Sequence, residues 1–171
     1  MMRGRIFFRK LVWYVMYINA MGVILSWVTR YFLGEYHINA EDDRLVTTLS
    51  WKLILLLPYW GFREEVLFRL IPFALILSWE HIFSSVSNKI IFTVVIFSSV
   101  VFGVVHGDIR AIFVQGVTGM YLALIFWRYS MRLRSWYDLI PGLAASTVVH
   151  FSYNAWIFVP IFLGDLYRKH F

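Results

Sequence analysis

The sequence predicts an all-α fold, a polytopic membrane bundle of five to six transmembrane helices forming a single domain over residues 1–171. Hydrophobic residues make up 60% of the chain, charged residues only 15%, and the mean hydropathy is +0.68. A globule of this size cannot hide that much apolar side chain from water, so the chain requires a second, apolar solvent. The apolar residues also fall in long uncharged runs, with basic residues gathered at their ends. Sixteen Lys and Arg against 10 Asp and Glu leave a charge of +6. In a soluble domain that excess would suggest nucleic acid; at the ends of apolar runs it reads as a topology signal, and no nucleic-acid partner is expected. With no cysteine, any chemistry must come from His, carboxylates, Ser or amides.

The first span follows Arg3, Arg5, Arg9 and Lys10 and runs from Leu11 to Leu33. Its length of about 23 residues suffices for ~30 Å of hydrocarbon. That exceeds the apolar core of a signal peptide, and no small-x-small cleavage site follows, so the segment is expected to be retained. Gly34 to Arg44 carries Glu35, Glu41, Asp42 and Asp43. An acidic loop after a basic N-terminus places that terminus in the cytoplasm. Leu45 to Trp79 is apolar except for Lys52, Arg63, Glu64, Glu65 and Arg69, with Pro58 and Gly61 as helix breakers. It reads as one broken helix or two. Lys89 to His106 is a further span, Gly107-Asp108 a tight break, and Ile109 to Tyr129 another span. Arg128, Arg132 and Arg134 precede the last, Leu139 to Leu163. One crossing by Leu45–Trp79 gives five spans and a cytoplasmic arginine loop, which the positive-inside rule favours; two crossings give six. No internal repeat, linker or second domain is visible.

A charge at mid-bilayer costs about 2.5–3.5 kcal/mol on insertion scales, so Glu64, Glu65, Arg69, His106 and His150 need a common explanation, and a functional cavity is the default one. Glu65 and Arg69 are four residues apart with the acid first, the favourable order for a helical ion pair. Glu64 lies about 100° around that helix, above Phe68 and no cation, which makes it the better candidate base. The competing reading is one structural ion network. Phe102 and His106 share a helix face, so an aromatic ring can shield the imidazole; Gly103 and Gly107 form a GxxxG pair that invites a neighbouring helix. His150 and Asn154 stand one turn apart and can both donate toward one point, as an oxyanion requires. Their alternative role is an interhelical clamp. Gly142 and Ser146 read as packing residues. No role is assigned to His37, His81 or His170, and Ser98, Ser99 and Ser152 lack a visible Ser-His-acid partnership.

Three motifs stand in order on apolar segments: EExxxR at Glu64, Glu65 and Arg69, FxxxH at Phe102 and His106, and HxxxN at His150 and Asn154. The set resembles the CAAX protease and bacteriocin-processing (CPBP or Abi) family of intramembrane endopeptidases. The resemblance covers residues 49–158 as a catalytic core, leaving 1–45 as an extra N-terminal transmembrane helix and acidic loop. It implies that Glu64 and His106 activate water, that His150 and Asn154 stabilise the oxyanion, and that Glu65, Arg69 and Phe102 support them. No cofactor is implied. The implied substrate is a membrane-associated or lipidated protein or peptide, and the expected location is the cell membrane of a prokaryote. The family often has Gly after the motif arginine and a small or apolar residue before the glutamates; here these are Leu70 and Arg63.

Two other readings use the same residues. Glu64, His106 and His150 could ligate zinc in a metal-dependent membrane hydrolase, although no HExxH is present and a His–Asn face suits donors better than ligands. Buried carboxylates and histidines also serve proton-coupled carriers or silent membrane scaffolds; a carrier is disfavoured by the lack of two similar halves with paired broken spans.

Overall fold

A computed structural model describes residues 2–33, 51–83, 87–107, 109–130 and 135–170, and among them every regular element is helical. The elements are α1 (Met2–Leu33), α2 (Trp51–Glu65), a π turn (Val66–Leu70), α3 (Ile71–Phe83), α4 (Asn88–Val105), α5 (Ile109–Ser130), a 3₁₀ turn (Trp136–Asp138) and α6 (Leu139–His170). The acidic loop from Gly34 to Arg44, with His37, lies outside the described residues.

The expected interruption at Pro58 and Gly61 does not occur. Pro58 lies inside α2, and the chain stays helical from Trp51 to Phe83, so the described part of this stretch is one rod. Its irregularity comes later, where the Ile71 N–H bonds the Val66 carbonyl five residues back. Pro72 explains the position: it offers no N–H to the Phe68 carbonyl, and its ring crowds that oxygen, so the preceding turn widens. Gly61 serves packing. A Cβ there would lie 3.7 Å from the Phe151 nitrogen and 3.9 Å from the His150 ring, so α2 runs directly against α6.

Helix α4 begins at Ser87, whose Oγ accepts from the Ile90 N–H at 3.4 Å. It ends at His106, with φ −91° and ψ 0°. Gly107 follows at φ 134°, a conformation that side chains rarely adopt. It therefore terminates the helix and does not continue a packing face with Gly103. Ahead of α6, the Asp138 carboxylate accepts from the Ser135 N–H at 3.1 Å.

Helix α5 is the hub, packed against α1, α4 and α6. On one side Phe73, Ile76, Leu77, Val95, Phe126 and Leu139 join α3, α4, α5 and α6. On the other, Leu11, Ile18, Leu122, Ile125, Val149 and Tyr153 join α1, α5 and α6. Helices α5 and α6 approach so closely at Gly142 that a Cβ would stand 2.6 Å from the Phe126 carbonyl. The exterior is apolar as well: Trp13, Trp27, Tyr31, Phe92, Phe97 and Leu75 are all exposed. Patches on this scale are foreign to soluble monomers.

Against the five to six spans expected, only α4, Asn88–Val105, is by itself long and apolar enough to cross a membrane among the described residues. The other rods interleave Trp, Tyr, Gly, Pro and ionisable residues with their aliphatic ones.

Candidate active site

The end of α2 presents two adjacent carboxylates, Glu64 and Glu65, to different surroundings, and the π turn that follows carries Arg69. Glu65 is fully buried. Its Oε1 lies 3.6 Å from Nη1 of Arg69, the pair read from their spacing, and accepts a shorter 2.8 Å bond from Nδ1 of His150 on α6. Arg69, also fully buried, donates from Nη2 to the Gly119 carbonyl at 2.9 Å. Its guanidinium carbon sits 4.5 Å from the centroid of the Phe102 ring, a cation–π contact in a dry site. The arginine is thus fixed by three helices.

Glu64 is 27% exposed, and its Oε2 lies 3.3 Å from Nε2 of His150 and 3.8 Å from Nε2 of His106. Two histidines from different helices therefore converge on one carboxylate oxygen. The His106 side chain is 29% exposed and that of His150 only 3%. Phe102, fully buried, lies with its ring centroid 4.3 Å from that of His106 and 5.8 Å from that of His150.

The proton inventory follows from the partners. Nδ1 of His106 lies 2.6 Å from the Phe102 carbonyl, which can only accept, so Nδ1 carries a hydrogen. Nδ1 of His150 likewise donates to the Glu65 carboxylate. Both Nε2 atoms then face Glu64 with lone pairs unless a further proton is present. Three acceptors around one point require a shared proton or a water donor. A gap of 3.8 Å between Glu64 and His106 admits a water at ordinary hydrogen-bond distance from each.

Of the residues singled out in sequence, Glu64, Glu65, Arg69, Phe102, His106 and His150 come together. Asn154 stands half-buried one turn beyond His150 on α6, outside the set of contacts just described. Ser146 is buried one turn before His150, with Oγ donating to the Leu143 carbonyl at 3.3 Å. Ser98 and Ser99 bond the Val95 carbonyl of their own helix. Ser152 bonds that of Val148.

Gly119 was not foreseen. A Cβ there would stand 2.8 Å from the Phe102 ring and 3.0 Å from Nη2 of Arg69, so its bareness lets the arginine reach the backbone of α5. The available signal was the pair Gly116 and Gly119 inside an apolar run.

Residues 46–156 of the chain, about two thirds of it, match the family model described as type II CAAX prenyl endopeptidase Rce1-like. No curated protein and no solved structure matches the chain.

Proposed function

We propose, because the chain belongs to the Rce1-like family of type II CAAX prenyl endopeptidases, that it is an intramembrane endopeptidase cleaving a membrane-associated or lipidated protein with a water activated by Glu64 and His106. The observation that carries this reading is the convergence of Nε2 of His106 and His150 on Oε2 of Glu64. The helices lie in the bilayer, which solvates the exposed Trp, Phe and Leu of the outer surface. In this reading α1, the α2–α3 rod, α4, α5 and α6 each cross once.

The chemistry divides between the two exposure levels. A water between half-exposed Glu64 and His106 hydrogen bonds to both, and Glu64 takes its proton as the oxygen adds to the scissile carbonyl carbon. His106 presents Nε2 because its other nitrogen is committed to the Phe102 carbonyl. Negative charge then develops on the carbonyl oxygen. His150 stands behind it: Glu65 holds the ring through Nδ1, so Nε2 is the nitrogen left to face the reacting centre and, when it carries a proton, to donate to the oxyanion. Asn154, one turn along, supplies the second donor. Collapse of the tetrahedral intermediate breaks the C–N bond, and the proton held by Glu64 passes to the leaving amine. Arg69, held by Gly119 and Phe102, keeps Glu65 in place.

Comparison of membrane proteomes from cells carrying the native chain or Glu64→Gln tests this function. The proposal expects new termini on membrane-associated proteins only with the native chain. Identical terminus profiles, with both proteins folded and inserted, contradict it.

A further inference from the structure

A cavity of about 520 Å³ lies between α1, α5 and α6, and neither Glu64 nor His106 nor His150 is among its lining residues. We propose that it binds the uncharged, hydroxyl-bearing glycerol head of a neutral membrane lipid such as a diacylglycerol. The proposal rests on the bilayer placement above but not on the peptidase chemistry.

Its volume lies within the usual range of small-molecule sites, about 300–1,000 Å³. The polar lining consists of Asn19, Gln115 and Tyr153, and no charged residue is among the lining residues described. Among these described residues an ionic headgroup finds no counter-charge. Asn19 already spends its amide N–H on the Val15 carbonyl at 2.8 Å, whereas its Oδ1 is buried with no hydrogen-bond partner. A buried acceptor left in this state costs about 1–3 kcal/mol, so the cavity calls for a donor. Gln115 and Tyr153 can each give and accept. A hydroxyl, at once donor and acceptor, answers all three.

The remaining lining explains why the occupant is an amphiphile. Trp27 and Trp156 belong to the cavity while being 69% and 61% exposed. Indoles so placed suit the boundary between a lipid's head and its chains. Val23, Val114 and Ile157 offer apolar walls beside them. The floor is the Tyr153 ring, which packs on bare backbone at Gly22; a Cβ there would enter the ring. Asn19, Gly22, Val23 and Trp27 of α1 lie outside the family-matched residues 46–156, whereas Val114, Gln115, Tyr153 and Trp156 lie within them.

Native mass spectrometry of the full chain released from detergent micelles tests the inference, with dioleoylglycerol, dioleoylphosphatidylglycerol and a hydrophobic helical peptide added separately. One dioleoylglycerol should be retained per chain. The double variant Asn19→Leu/Gln115→Leu should weaken that retention by about tenfold or more, the effect of losing hydrogen bonds in a dry site. Val23→Trp, which fills the cavity from its exposed edge and removes no hydrogen bond, should do the same and decides the matter if the double variant does not fold. Equal retention by native chain and variants overturns the proposal, as does retention of only the anionic lipid or only the peptide. Glu64→Gln should bind dioleoylglycerol like the native chain, so failure of lipid binding and failure of catalysis are separately visible.

Discussion

His150 donates from Nδ1 to Oε1 of Glu65 across 2.8 Å, a bond between residues 85 positions apart and almost fully buried on both sides. This bond gives Glu65 a task besides pairing with Arg69: it orients the imidazole and leaves Nε2 facing Glu64.

Glu65→Gln should therefore do two things. It leaves Arg69 without its carboxylate in a buried site, which costs about 3–5 kcal/mol and appears as a lower unfolding midpoint. In the fraction that remains folded, the turnover number should also fall, by about 10²-fold, because His150 loses the carboxylate that fixes its ring. Normal turnover per folded molecule would leave Glu65 a purely structural partner of Arg69.

Gly119→Ala should destabilise the protein by about 1–3 kcal/mol, the usual cost of overpacking, since the new methyl meets the Phe102 ring and Arg69. Gly164→Ala is the control: among the described residues nothing lies within 4 Å of its added carbon, so its activity should match the native chain and its stability should hold or rise by the helix preference of Ala over Gly, about 0.5–1 kcal/mol. Equal behaviour of the two variants would show that the approach of α5 to Arg69 is slack.

Glu64→Gln and His106→Ala act on one proposed water, so their losses in kcat/KM should be strongly non-additive in a double-mutant cycle. Additive free-energy losses would assign the two residues to separate steps.

Asn154→Ala should lower kcat by about 10²–10³-fold with KM nearly unchanged, as loss of an oxyanion donor does. Asn154→Asp should be worse, because it sets a carboxylate where negative charge develops. Near-native turnover in Asn154→Asp would remove this residue from the donor role.

The sequence disclosed what is local. Glu65 and Arg69 lie on one rod four positions apart, so their ion pair could be read from spacing; the shorter bond from His150 could not, because nothing in a single chain says which face of α6 meets α2. The same limit hid the approach of His150 to Glu64 and the use of the Gly119 carbonyl by Arg69, whereas the pairing of Glu64 with His106 was implied by the family resemblance. The family was readable from three short motifs, since each keeps its functional residues within a turn or two of one helix. Breakers misled where they were weighed by type. Pro58 and Gly61 suggested a break, yet α2 passes through both, while Pro72, to which no role was given, accompanies the π turn that follows Glu65. Gly107 reads from sequence both as a tight break after His106 and as half of a packing pair; the break is what the structure has at this glycine, which follows the end of α4, and the packing pair is not. Hydropathy foresaw more spans than the helices individually support, because only α4 keeps its polar residues to a minimum over its whole length.

The central claim is that Glu64, set between two histidines, activates the water that cleaves a membrane-associated substrate. Single-turnover cleavage of a lipidated peptide by purified protein in liposomes, comparing the native chain with Glu64→Gln of equal folded content, tests it most directly. The account predicts measurable hydrolysis by the native chain and a loss of at least about 10³-fold in the variant. Equal rates for the two proteins would contradict it.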